Sequence, residues 1–133
     1  MLIVDDEAGV RDLERHILER AGFTVVEATD GAEALKIVAG ETPLALVVAD
    51  VDMPNLSGDD MAREVAKTRP GLKILFVTGH VRKLFKGEPL LQEDRAFLAK
   101  PFTAASLIEA VSLLKWGTLT PKFDAPVDGR DLK

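Results

Sequence analysis

The stretch Leu44-Ala45-Leu46-Val47-Val48-Ala49-Asp50-Val51-Asp52-Met53-Pro54 decides the fold. An apolar run without polar alternation, ending abruptly on an acid, fits a strand covered on both faces, and such strands belong to parallel sheets flanked by helices. Outward from it, apolar segments of strand length alternate with segments of helical period as far as Trp116. The strands are expected at Leu2 to Val4, Thr24 to Glu27, Leu44 to Ala49, Lys73 to Val77 and Ala96 to Leu98. Between them, Val10, Leu13, Ile17 and Ala21 recur at spacings of three and four and predict a first helix with these residues inward, closed by Gly22. A second helix opens on Asp30 as cap with Glu33 three residues on, carries Ala32, Leu35, Val38 and Ala39 inward, and ends at Gly40. A third runs from about Gly58 to Thr68 around Met61, Ala62 and Val65. The last begins after Thr103 and buries Ala104, Leu107, Ile108, Val111 and Leu114. Gly87 and Pro89 interrupt the segment between the last two strands, so its helix is expected to be short or irregular. The alternation implies an α/β three-layer sandwich with a central five-stranded parallel sheet.

At 133 residues, 47% of them hydrophobic, the chain has material for one core. A single domain is expected over residues 1–116, with 117–133 as a flexible tail or linker stub punctuated by Gly117, Pro121, Pro126 and Gly129. The absence of cysteine excludes disulfides, a thiol nucleophile and thiolate metal sites. No apolar run approaches the roughly 20 residues that span a bilayer, and the start is not a signal peptide, so a cytoplasmic location without membrane insertion is expected. A formal charge of −5 supplies no basic field for a phosphate backbone, and direct nucleic-acid binding is not expected.

In a parallel sheet the C-terminal ends of the strands open on one edge, and ligands bind there. That rule gathers Asp5 and Asp6 from the first strand, Asp50 from the third, Thr78 from the fourth, and Lys100 and Pro101 from the fifth. Taken singly, each has an ordinary reading: acids before a helix cap it, a strand-end threonine is a hydroxyl in a turn, and a lysine is a solvated amine. Their joint placement at four strand ends favours a site. Three adjacent carboxylates repel unless a proton or cation neutralises them, and hard oxygen ligands favour magnesium.

These residues resemble the response-regulator receiver domain of two-component signalling, the CheY-like superfamily, over residues 1 to about 115. The pair Asp5-Asp6 in LIVDDE resembles the family's acidic pair, Asp50 in ADVDMPNLSG its phosphoacceptor, Thr78 in FVTGH its switch hydroxyl and Phe97 its switch aromatic; Lys100 in FLAKPF resembles the lysine that precedes a cis proline. The resemblance implies a flavodoxin-like fold with strand order 2-1-3-4-5. It implies that Asp50 accepts a phosphoryl group from a sensor histidine kinase or a histidine phosphotransfer protein. Mg2+, or Mn2+, would be held by Asp6, Asp50 and the Asp52 backbone carbonyl, with Asp5 acting through water. Thr78 and Phe97 would then relay the charge as a change of surface over residues 79–103. Asp52 and His80, two residues beyond Asp50 and Thr78, would tune the lifetime of the phosphoryl group, although an exposed loop histidine without that role is the plainer reading of His80. His16 reads as a plain, partly exposed residue of the first helix.

The sequence departs from the family in its broken fourth helix and in Gln92-Glu93-Asp94-Arg95 before the fifth strand; a shortened fourth helix of this sort resembles those of receivers attached to hybrid sensor kinases and of some stand-alone receivers. Two other readings compete. Asp50-Val51-Asp52 also looks like the Asp-x-Asp of haloacid-dehalogenase-like phosphatases, but there the nucleophile lies near the chain start. A receiver-like interaction module that is never phosphorylated is the other, although such modules tend to have lost one of the acidic, threonine or lysine positions. The expected protein is a phosphoacceptor and not a turnover enzyme.

Overall fold

The computed structural model of the protein describes residues 1–51, 58–79, 91–92 and 95–116. In chain order the elements are β1 (Leu2–Val4), α1 (Ala8–Arg20), β2 (Val26–Ala28), α2 (Gly31–Ala39), β3 (Leu46–Asp50), α3 (Gly58–Thr68), β4 (Lys73–Thr78), β5 (Leu91–Gln92), β6 (Arg95–Ala99) and α4 (Ala104–Trp116). The sheet order is β2-β1-β3-β4-β6-β5. The first five of these neighbours run parallel, in the order expected for the five principal strands, and β5 adds a short antiparallel edge pairing Leu91 with Ala96 and Gln92 with Arg95. That edge was not expected: two residues are too few to carry a period. The expected fourth-helix break and the expected tail fall on residues outside those described.

The side-chain period of two sorts the strand residues between two cores. Leu2, Val4, Val47, Ala49, Ile74 and Phe76 fall on the side of α2 and α3. Met1, Ile3, Leu46, Val48, Leu75 and Val77 fall on the side of α1 and α4. Both faces are therefore dry, which explains why β3 and β4 read as unbroken apolar runs.

Strand ends differ from expectation because a strand extends only where it has a partner. The second strand is Val26–Ala28 rather than Thr24 to Glu27, since β1 offers only Leu2 to Val4 as its ladder. The third reaches Asp50, which pairs with Val77. The helices hold two corrections. On α1 the buried residues are Glu14 and Leu18, while Leu13 is 51% exposed, so the buried face is rotated from the one that Leu13 implied. On α2 the buried residues are Gly31, Ala34 and Val38, with Leu35 partly buried and Ala32 and Ala39 exposed. On α4, Leu107, Val111 and Leu114 are buried as expected, whereas Ala104 is exposed.

Local chemistry fixes the helix ends. Asp30 accepts from the Glu33 backbone N–H at 2.8 Å, and Glu33 Oε1 accepts from the Thr29 backbone N–H at 2.7 Å, closing a reciprocal cap. Gly22 takes φ of 100° where α1 ends, a conformation a side chain would strain. Thr103 Oγ1 accepts from the Ser106 N–H at 3.0 Å and starts α4.

Candidate functional site

Register places the polar residues. Val4 pairs with Ala49, so Asp5 and Asp50 are the next residues on adjoining strands. Asp50 pairs with Val77 and Thr78 with Ala99, so Thr78 and Lys100 complete the same edge. Backbone bonds carry the order past the strand ends: the Val51 N–H donates to Val77 O at 3.1 Å and the Lys100 N–H to Thr78 O at 2.8 Å. The Lys100–Pro101 peptide is cis.

Carboxylate oxygens of Asp5, Asp6 and Asp50 all lie within 4.8 Å of one another. Asp5 and Asp50 are buried and Asp6 is exposed, which gives the cluster a floor and an open side. Lys100 Nζ stands 3.3 Å from Asp50 Oδ2. Asp5 Oδ1 accepts from the Glu7 N–H at 2.9 Å, while its buried Oδ2 has no hydrogen-bond partner. Burial pushes the Asp5 carboxyl up from its ordinary range, the Glu7 N–H opposes this, and the Asp50 charge adds to the rise. Clustered hard oxygens, one of them buried and unpartnered, fit a divalent cation of the magnesium type.

The framework around the cluster is held by Arg11. Its Nη1 donates to Asp5 O at 2.8 Å and its Nε to Glu27 Oε1 at 3.0 Å, tying the end of β1 to α1 and β2. Arg15 Nε adds a second contact to Glu27 Oε2 at 2.8 Å. On the opposite face of the sheet, Thr78 is fully buried and Phe97 stacks on Phe76 with ring centroids 5.2 Å apart. Asp5, Asp6, Asp50, Thr78 and Lys100 are thus brought to one edge, with Phe97 beneath Thr78; Asp52 and His80 lie outside the described residues. His16 is exposed and its Nδ1 lies 2.9 Å from the carbonyl of Asp12.

Glu14 is the buried charged residue that sequence reasoning passed over. It is 1% exposed, its Oε1 has no hydrogen-bond partner, and burial followed by the Asp5 charge raises its pKa to about 8. Its signal was present but misleading: it sits four residues before Leu18 and three before Ile17, on a face that its own polarity marked as wet.

Residues 1–112 match the family described as the response regulator receiver domain. The chain belongs to that family. Among curated relatives, the receiver is 38% identical over 114 residues to the sensor kinase CckA of Brucella abortus, covering 84% of this chain and 12% of that one. It is 32% identical over 113 residues to the chemotaxis protein CheY of Thermotoga maritima, covering 84% of this chain and 93% of that one. A solved structure of the response regulator TrrA from Thermotoga maritima in complex with Mg(2+)-BeF superposes with a TM-score of 0.68 at 32% identity, covering 85% of this receiver and 96% of that chain. The receiver spans 12, 45 and 49% of the length of three of its curated relatives. These likenesses lend no support to the phosphatase reading. No helix among the described residues is long and apolar enough to cross a membrane.

Proposed function

We propose that this receiver is a phosphorylation-operated switch in which Asp50 is the phosphoacceptor. The observation that carries the proposal is the Asp50 carboxylate held 3.3 Å from the Lys100 ammonium, beside carboxylates of Asp5 and Asp6 within 4.8 Å. An Asp50 oxygen attacks phosphorus in line; the new O–P bond replaces the P–N bond of a phosphohistidine or the P–O bond of acetyl phosphate, and the electron pair leaves with the imidazole or the acetate. Asp50 needs no general base, because an ionised carboxylate is already the nucleophile. Asp5, Asp6, Asp50 and the Asp52 carbonyl would hold Mg2+, which supplies charge neutralisation to the phosphoryl oxygens. Lys100 pairs with those oxygens after transfer. Positioning and electrostatics do the remaining work.

Thr78 and Phe97 would read the new charge. The Thr78 hydroxyl bonds a phosphoryl oxygen, its strand end shifts, and the Phe97 ring repacks against Phe76. The donor would be a cytoplasmic histidine kinase or histidine phosphotransfer protein. The surface offered to it includes exposed Leu13, which with Ile17, Ala21, Ala104 and Ile108 lines a groove of about 360 Å³ between α1 and α4. An exposed Leu in an apolar groove flanked by His16 and Arg20 suits the apolar face of a partner helix. In this reading the domain is residues 1–116, and residues 117–133, outside those described, are a tail or linker stub.

The expected result with acetyl phosphate is a gain of one phosphoryl mass by the wild-type chain in magnesium and none in chelator. Turnover of many phosphates per chain would overturn the switch reading. For Thr78→Ala, uptake is expected to persist while the phosphorylation-induced change in amide exchange over β6 and residues 100–103 is lost; equal exchange changes in both proteins would remove Thr78 from the relay.

A further inference from the structure

The backbone of Asp5 is fixed on both sides of its Cα. Its N–H donates to Ala28 O at the end of β2 at 3.2 Å, and its C=O accepts from Arg11 Nη1 at 2.8 Å. A peptide unit is planar, so each bond sets the tilt of a whole plane. The first bond sets the Val4–Asp5 plane and continues the β1–β2 ladder by one step. The second sets the Asp5–Asp6 plane, and with it the direction in which the chain reaches Asp6. The Glu7 N–H on Asp5 Oδ1 at 2.9 Å then orients the Asp5 carboxylate itself.

A lone donor on a carbonyl can swing. Arg11 is kept from swinging by Glu27, whose Oε1 accepts from Arg11 Nε at 3.0 Å. Nε and Nη1 belong to one rigid guanidinium plane, so a bond at each fixes the plane as a single ammonium donor would not. Glu27 pairs in register with Ile3 and alternates away from Val26 and Ala28, which pack on the α2 side, and so it faces α1. The clamp runs from the edge strand through α1 to the peptide that joins two of the three clustered acids.

Charge alone argues against an arginine here, because a guanidinium bonded to the Asp5 carbonyl repels a divalent cation bound by the neighbouring carboxylates. Geometry argues for one. Carboxylates of Asp5, Asp6 and Asp50 drawn within 4.8 Å repel one another and favour any loop movement that separates them. We propose that Arg11, clamped by Glu27, is a positioning residue of the cation cluster: it fixes the Asp5–Asp6 peptide so that both carboxylates stay converged with that of Asp50, and it strengthens the binding of a divalent cation although its own charge opposes one. The proposal rests on the reading of the cluster as a magnesium site.

The experiment is calorimetric titration of the full chain with magnesium chloride, on wild type, Arg11→Met, Glu27→Gln and Glu27→Ala, with urea unfolding of each. Arg11→Met is expected to bind magnesium about tenfold more weakly, the lower range for groups that orient metal ligands from behind, whereas a charge effect would tighten binding. The two Glu27 variants lose the same charge, but the Gln amide oxygen still accepts from Arg11 Nε. Glu27→Gln is therefore expected within about twofold of wild type and Glu27→Ala about fivefold weaker. Tighter or unchanged binding by Arg11→Met overturns the proposal, as does equal weakening in the two Glu27 variants. Lower urea stability of Arg11→Met with wild-type affinity also overturns it, leaving Arg11 a structural tie only. Should Arg11→Met fail to fold, the partly exposed Glu27 pair decides alone. Absence of magnesium binding by wild type overturns the cluster reading itself.

Discussion

Asp50→Asn is expected to show no phosphoryl gain by intact mass under conditions where the wild-type chain gains one. An amide oxygen carries no net charge and is a poor nucleophile, and the remaining carboxylates do not stand where Asp50 stands, one residue past Ala49 and 3.3 Å from Lys100 Nζ. The substitution is nearly isosteric and removes one of three mutually repelling charges. The fold should therefore survive with unchanged or slightly higher stability, within about 1 kcal/mol. Lys100 loses a partner charge but keeps access to water, its side chain being 24% exposed. Uptake by Asp50→Asn at the wild-type rate would move the acceptor elsewhere. A lower melting temperature together with lost uptake would instead point to a structural role for the carboxylate.

The strands and their order were readable because a parallel sheet with two dry faces leaves a strong mark: unbroken apolar runs such as Leu46 to Ala49, each ending on a polar residue. The same property made the edge readable. Register follows from the runs, and register puts Asp5 beside Asp50 and Thr78 one step from Lys100. What the sequence concealed was the orientation of α1. Leu13 and Glu14 lie about 100° apart on the helical wheel, one on each side of Val10 and Ile17, and either can share their stripe. Hydropathy favours burying Leu13, and the fold buries Glu14. Periodicity counts the transfer of each side chain from water separately, so it misses a carboxyl that the fold buries. It also missed β5, a two-residue strand defined by its antiparallel partner and not by any pattern of its own. Asp52 and His80 were placed by their distance along the chain from Asp50 and Thr78, and a role assigned in that way says nothing of geometry.

Glu14→Met is expected to stabilise the fold, and to do so more at pH 8.5 than at pH 5. In the folded chain the carboxyl titrates at about 8, against 4.5 in the unfolded chain. Below 4.5 both states hold the proton and Glu14 makes no pH-dependent difference. As pH rises from there, the unfolded chain ionises while the folded chain does not, so stability falls until pH passes about 8 and is flat above it. At about 1.4 kcal/mol per unit, the loss has a ceiling near 5 kcal/mol, which relaxation and water entry reduce. Asp5 is shifted in the same direction and contributes in both proteins, so the difference between them isolates Glu14. Methionine has similar length, no proton to lose, and enough flexibility to fill the space beside Leu18. We expect a gain of about 2 kcal/mol or more in urea unfolding at pH 8.5 and roughly half that or less at pH 5. Equal gains at the two pH values would mean that packing, not charge, is what Glu14 costs the core. A gain confined to high pH would mean that the cost lies in the charge that ionisation leaves in the core.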